Sequence, residues 1–261
     1  MPEQLVPLLA LTAALFFGGA GNAVRQAVQH VDSQVASMLS ILATFGIFVL
    51  LMPTWFEADD WRNPAVWVFA LNGLIHPVLS RFLAYEANRR IGATVAASFD
   101  ATSPLFAAAI AVLMLGERVD LLVALGTCLT VLGVAWLYWN PARVPSLMKA
   151  ALLFATGAAL IRAVNNNVSA FGLGLLPNPV MGACISFGVS LLASTVLFAV
   201  RTRRGTLGVP PRAGVLWCLA AGSLSGVAVI CLNTALWLGD VVIVAPIVSA
   251  APLFTLLIAW S

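Results

Sequence analysis

Charge is what this sequence has least of. Only 9% of its 261 residues are Asp, Glu, Lys or Arg, against roughly 25% in a soluble domain, so too few polar side chains exist to cover a water-facing surface. Hydrophobic residues make up 61% of the chain and its mean hydropathy is +1.01. A soluble fold is excluded, and a multi-pass protein whose main surroundings are the lipid bilayer is expected, in the cell (plasma or inner) membrane. Basic runs beside aromatic clusters are missing too, and a net charge of +3 is small, so nucleic acid is excluded as a partner. The four cysteines, Cys128, Cys184, Cys218 and Cys231, lie in apolar stretches without CxxC spacing, which excludes a disulfide framework and a zinc site. No HExxH, P-loop or Ser/His/Asp set occurs, so metalloproteolysis and ATP hydrolysis lack support and neither a metal nor a cofactor is expected. The first apolar run follows Met1-Pro-Glu-Gln with no basic segment and reads as a retained helix, not a signal peptide.

Long apolar runs fill the space that charge leaves. Punctuation by Pro, Asn and charged residues predicts spans at 5–26, 34–56, 64–87, 92–115, 119–139, 147–173, 178–200, 213–237 and 241–260. Runs of about 20 continuous apolar residues are helices, since barrel strands alternate over about 10. The fold class is therefore an all-α integral membrane bundle of nine transmembrane helices.

The chain also repeats itself. Ala13-Ala14-Leu15 through Asn22 matches Ala158-Ala159-Leu160 through Asn167 at an offset of 145, and Ser103-Pro104-Leu105-Phe106 matches Ala251-Pro252-Leu253-Phe254 at an offset of 148. A five-helix unit has an odd number of crossings, so its second copy must insert upside down. The repeat divides the chain at 1–140 and 141–261, and it predicts a tenth helix after Ser261, so the chain reads as one helix short of a complete pair. Basic loop residues set orientation. Arg62 and Arg118 lie on the N-terminal side, whereas Arg89, Arg90, Arg143, Lys149, Arg201, Arg203, Arg204 and Arg212 lie opposite, which favours an outside N-terminus.

Arg89-Arg90-Ile91-Gly92-Ala93-Thr94-Val95-Ala96-Ala97, then Thr102-Ser103-Pro104-Leu105-Phe106-Ala107-Ala108 and Leu115-Gly116-Glu117-Arg118, resembles the EamA-like branch of the drug/metabolite transporter superfamily. Gly239-Asp240-Val241-Val242 with Ala251-Pro252-Leu253-Phe254 looks like a second copy of the same signature. The resemblance implies ten helices in two inverted halves, a central cavity, and alternating-access transport of small metabolites, often outward. It implies an inside N-terminus, opposite to the basic-loop count, and the acidic loop Glu57-Ala-Asp-Asp-Trp-Arg departs from the family's usual basic one.

Several polar residues sit where lipid cannot solvate them. Asp100 is near the middle of the fourth span, where an Asp costs about 2.5–3.5 kcal/mol on insertion scales, and small residues surround it on its helix face. It carries a coupling proton or binds a substrate amine; alternatively, it forms a fixed pair with an arginine. In the sixth span Arg162, Asn165, Asn166 and Ser169 share a face by their one-turn spacings, suited to a carboxylate or phosphate, or to interhelical hydrogen bonding. The third span offers Asn72, His76 and Ser80 at four-residue spacing with Arg81 beside them; His76 titrates in the physiological range if exposed and otherwise packs. Glu86 and Arg90 read as a surface pair.

Pro104 cannot donate to the carbonyl of Asp100, nor Pro252 to that of Val248, Pro77 to that of Gly73 or Pro246 to that of Val242; each freed carbonyl can bind substrate or let its helix bend, a plain packing kink being the alternative, and the matched Pro104 and Pro252 are candidate hinges. Gly222-Ser-Leu-Ser-Gly226 and Gly18-Gly19-Ala20-Gly21 read as close packing, and Gly116-Glu117-Arg118 as a structural helix cap. The expected function is secondary transport of a small zwitterionic or anionic metabolite, amino-acid-like, with Asp100, Arg162, Asn165, Asn166, Asn72, His76 and Arg81 contacting it, protons as a coupling ion and a homodimer as a compatible assembly. The competing readings are an integral-membrane enzyme acting on a lipid head group through His76 and Asp100, and a scaffold with a dry centre.

Overall fold

The computed structural model describes residues 2–92, 96, 99, 102–118, 121, 124–126, 128–129, 132, 146–203 and 210–260. Among them all regular structure is helical: α1 (Pro2–His30), α2 (Ser33–Trp55), a 3-10 turn (Ala58–Arg62), α3 (Ala65–Ile75), α4 (Val78–Ile91), α5 (Ser103–Ile110) running into a π turn (Ala111–Leu115), α6 (Ser146–Leu175), α7 (Pro179–Arg203), α8 (Arg212–Leu238), α9 (Val241–Val248) and α10 (Ala251–Trp260). Six stretches are long and apolar enough to cross a membrane: Leu5–His30, Ser33–Trp55, Ala65–Ile91, Pro179–Arg203, Arg212–Leu238 and Val241–Ile258. The 30-residue α6 has the length but is not among the six, and its middle carries Arg162 and three asparagines. The fifth expected span, 119–139, lies largely outside the described residues, as does Asp100.

Three of the expected spans are not continuous helices. The third is interrupted where α3 ends at Ile75 and His76 turns extended (φ −117°, ψ 128°) before α4 starts at Val78. Proline at 77 removes the N–H that would bond Gly73 and its ring clashes there; Ser190 Oγ donates to the Gly73 carbonyl instead. Pro104 and Pro252 interrupt the fourth and ninth spans more gently, with Thr102 (φ −81°, ψ −12°) and Ser249 (φ −67°, ψ −6°) still in the right-handed helical region. At the first, the Thr102 and Leu105 amides donate to Phe99 and Thr102; at the second, those of Ala250 and Leu253 donate to Ile247 and Ala250. Each acceptor and each donor is displaced by 148 residues, so one local geometry occurs twice.

Hydrogen bonds between loops fix the direction of the helices. Asn178 Nδ2 reaches both the Trp55 carbonyl (2.8 Å) and Asp60 Oδ2 (2.7 Å), and Asn63 Nδ2 donates to the Leu175 carbonyl. The ends of α2 and α6 therefore share one face, which also holds Val6 of α1, packed on Gly239. On the opposite face Asp32 bridges Arg89 (3.8 Å) and Arg201 (3.4 Å). We call these the N-terminal face and the basic face. Helix α1 runs from the first to the second and α6 runs back.

Small residues let these helices approach. A Cβ on Gly222 would overlap the Ser40 carbonyl of α2, and one on Gly226 would meet Ile47 Cδ1 at 2.7 Å, while Thr44 Oγ1 lies 2.7 Å from the Gly222 carbonyl. On α1, a Cβ at Gly18 would stand 2.6 Å from Phe254 Cβ of α10. Toward the N-terminal face a large apolar cluster that includes Val6, Ala10, Ala13, Leu173, Leu236 and Val241 fills the bundle. Glu86, expected on the surface, is 9% exposed and pairs with the half-exposed Arg90, because Tyr85, Glu86 and Ala87 face into the bundle one turn before α4 ends. Gly222→Ala should destabilise the protein by about 1–3 kcal/mol through overpacking, seen as a lower melting temperature in detergent. Gly46→Ala, with nothing within 4 Å of the added methyl, should not.

Candidate functional site

A cavity of about 190 Å³ lies at the centre of the bundle, many times the 10–15 Å³ that one water needs. The prolines at 104 and 252 both line it, as do Ser103, Ser249, Ala251 and Thr255, so both interrupted spans present their breaks to the same space. Its other lining residues reach Ala87 and Asn88 in the last turns of α4, next to Arg89 of the basic face. On the other side the large apolar cluster separates it from the N-terminal face.

The wall made by α4 and α6 is polar. Arg81 on α4 is aimed by α2: its Nη1 donates to Ser40 Oγ (3.0 Å) and its Nη2 to Thr44 Oγ1 (3.1 Å). Both hydroxyls can pass their own protons to backbone carbonyls, Ser40 to Ser37 and Thr44 to Gly222, so among the described residues the hydrogen-bond acceptors of this arginine are neutral. Its guanidinium also lies over the Phe187 ring, 5.1 Å from the centroid, a favourable placement for a cation. Among the described residues no carboxylate pairs with it. Arg162 on α6 lines the same cavity and lies over Phe17 at 5.7 Å. Asn165, Asn166 and Ser169 share this wall with Arg162. Three buried oxygens at the cavity, Asn88 Oδ1, Ser103 Oγ and Asn166 Oδ1, have no hydrogen-bond partner among the described residues.

The four-residue stack expected from Asn72, His76 and Ser80 does not form, because the chain leaves the helix at His76. His76 and Ser80 line the cavity, whereas Asn72 is buried behind it and donates through Nδ2 to Asn165 Oδ1 at 2.8 Å. Asn72 thus orients Asn165. The freed Gly73 carbonyl is closed by Ser190 and is not open to a ligand.

Two asparagines tie crossing helices together. Asn22 Nδ2 of α1 donates to the Thr255 carbonyl of α10 at 2.9 Å, and Asn167 Nδ2 of α6 donates to the Ala107 carbonyl of α5 at 3.0 Å. The donors are 145 residues apart and the acceptors 148, the two offsets of the repeat. Each acceptor lies three residues beyond its proline. The sequence marks both asparagines as matched positions, but it does not show that they are cross-links.

The sequence profile of the EamA-like transporter family matches residues 4–139, slightly more than half of the chain. This chain belongs to the EamA-like transporter family. That family is part of the drug/metabolite transporter superfamily, and it makes the chain a multi-pass membrane protein of a class that transports small molecules. No curated protein matches the sequence. Among solved structures, one titled only "Crystal structure of protein" is similar over 97% of this chain and 86% of its own length, with a TM-score of 0.72 and 17% identity, a likeness of fold alone. For an EamA-like protein the two asparagine cross-links flank both interruptions facing the cavity. Asn22→Ala and Asn167→Ala should each lower stability by about 0.5–1.5 kcal/mol, the net worth of one such hydrogen bond, measured by thermal unfolding in detergent.

Proposed function

We propose that this EamA-like protein is a secondary transporter that exports a small zwitterionic or anionic metabolite, amino-acid-like in size and charge, by alternating access. The observation that carries the reading is the pair of arginines, Arg81 and Arg162, brought from two helices to one central cavity. A guanidinium held by neutral hydroxyls, with no carboxylate paired to it among the described residues, leaves its planar fork to match a ligand carboxylate or phosphate. In this reading Arg81 and Arg162 hold the acidic group, with Asn165 aimed by Asn72. Asn166 Oδ1, Ser103 Oγ and Asp100 accept from an amine, and Asp100 or His76 carries a coupling proton. A polar cavity speaks against a scaffold, and the family speaks against the lipid-head-group enzyme, whose Asp100 lies outside the described residues.

The two halves, 1–140 and 141–261, are inverted repeats in this account. The opposite directions of α1 and α6, the duplicated breaks at Pro104 and Pro252 and the matched asparagine bonds support it. Interrupted helices at a repeat interface are where transporters of inverted design place their sites. Pro104 and Pro252 act as hinges, and rocking of the halves closes the basic-face side of the cavity while opening the plugged one. The transporter works in the cell membrane, alone or as a homodimer.

Arg162→Ala, Arg81→Ala and Asp100→Asn, reconstituted in vesicles, should each reduce counterflow of radiolabelled amino acids or small carboxylates by on the order of tenfold or more, the loss of a charge-assisted contact. Asn72→Ala should weaken apparent affinity several-fold, acting through Asn165. Full activity in the two arginine variants would overturn this assignment.

A further inference from the structure

Helix α9 begins at the N-terminal face, over the apolar cluster that plugs the bundle. Its first two backbone N–H groups, those of Val241 and Val242, have no partner inside the helix, as at any helix start. Asp240 immediately precedes them, and an aspartate there normally accepts from the helix it precedes. In this structure its side chain makes no such bond and is exposed. The cap comes instead from Glu117, 124 residues earlier in the chain: Oε1 accepts from the Val241 amide at 3.0 Å and Oε2 from the Val242 amide at 2.9 Å. The chain is shaped to deliver it. Helix α5 widens into the π turn, Gly116 takes a left-handed conformation (φ 69°), and the Glu117 amide bonds the Ala111 carbonyl.

We propose that Glu117 is a latch that holds the N-terminal face shut, and that α9 exchanges its cap from Glu117 to Asp240 when that face opens. A helix start that loses this cap would leave amides unsatisfied at the edge of the plug. With Asp240 at hand the exchange replaces one carboxylate by another, so closed and open arrangements are close in free energy, as a two-state element requires. The latch also spans the right parts. Glu117 belongs to the segment before α6, while the α8–α9 corner at Gly239 packs against Val6 of α1, with an added Cβ only 2.9 Å from Val6 Cγ1. Releasing Glu117 frees that corner and the mouth of the plug with it. The purpose of the latch rests on the transport reading, but the opening itself is measurable without transport.

The test is amide hydrogen exchange of the full chain in nanodiscs, read over the plug segments 6–13 and 232–238 and, as an internal control, over segment 23–36 near the basic face. Glu117→Gln keeps the size and one acceptor but turns an amide toward the second N–H, so exchange in the plug segments should rise roughly tenfold, with the control unchanged, as a pair of charge-assisted hydrogen bonds weakens. Asp240→Ala removes the alternative cap and should slow exchange in the same segments. Unchanged exchange in Glu117→Gln, a uniform rise that includes the control segment, or a rise in Asp240→Ala would each overturn the latch. Local opening as predicted in a chain that transports nothing would instead reject the transport reading and leave the latch standing.

Discussion

The bundle is organised around a helix that lipid cannot accept. At the middle of α6 stand Arg162 and three consecutive asparagines, and polar groups in hydrocarbon are tolerated only where protein or water satisfies them. The neighbouring helices do so in two different ways. Asn167 turns to the α5 backbone and closes a cross-link, whereas Arg162, Asn165 and Asn166 face a space that remains open. One side of α6 is thus bonded to the backbone of α5, and the other lines the central cavity.

Satisfaction of backbone groups explains the rest of the architecture. Each proline that interrupts a span frees a carbonyl and allows a bend. At His76–Pro77 the freed Gly73 carbonyl is closed by Ser190, so this break is a fixed corner that places His76 and Arg81 on the cavity wall. At Pro104 and Pro252 the breaks face the cavity itself and are bridged to their neighbours by one asparagine each. The same reasoning applies at the N-terminal face, where the start of α9 takes its cap from a distant carboxylate.

Much of this was legible in the sequence because the bilayer leaves few options. Low charge and apolar runs of helical length set the fold class, and the two offsets, 145 and 148, picked out the positions that become matched hydrogen bonds. Other features were not legible for identifiable reasons. Pro77 read as a local bend within one helix, so the stacking of Asn72, His76 and Ser80 was expected where the chain in fact turns extended at His76. The hydroxyls of Ser40 and Thr44 were invisible as partners of Arg81 because they lie 41 and 37 residues away on another helix. Glu117 read as a cap of its own loop, since nothing local indicates that the π turn and Gly116 carry it to α9.

The central claim is that the polar cavity takes an acidic small molecule between Arg81 and Arg162. The most direct measurement is the thermal stability of the purified chain titrated with a panel of amino acids and small carboxylates, beside the same titration of the Arg81→Gln, Arg162→Gln double variant. A ligand that binds only the folded state stabilises it in proportion to the logarithm of its concentration. The account predicts such a concentration-dependent rise for at least one compound in the unaltered chain and its disappearance in the double variant. A rise of equal size in both proteins would contradict it.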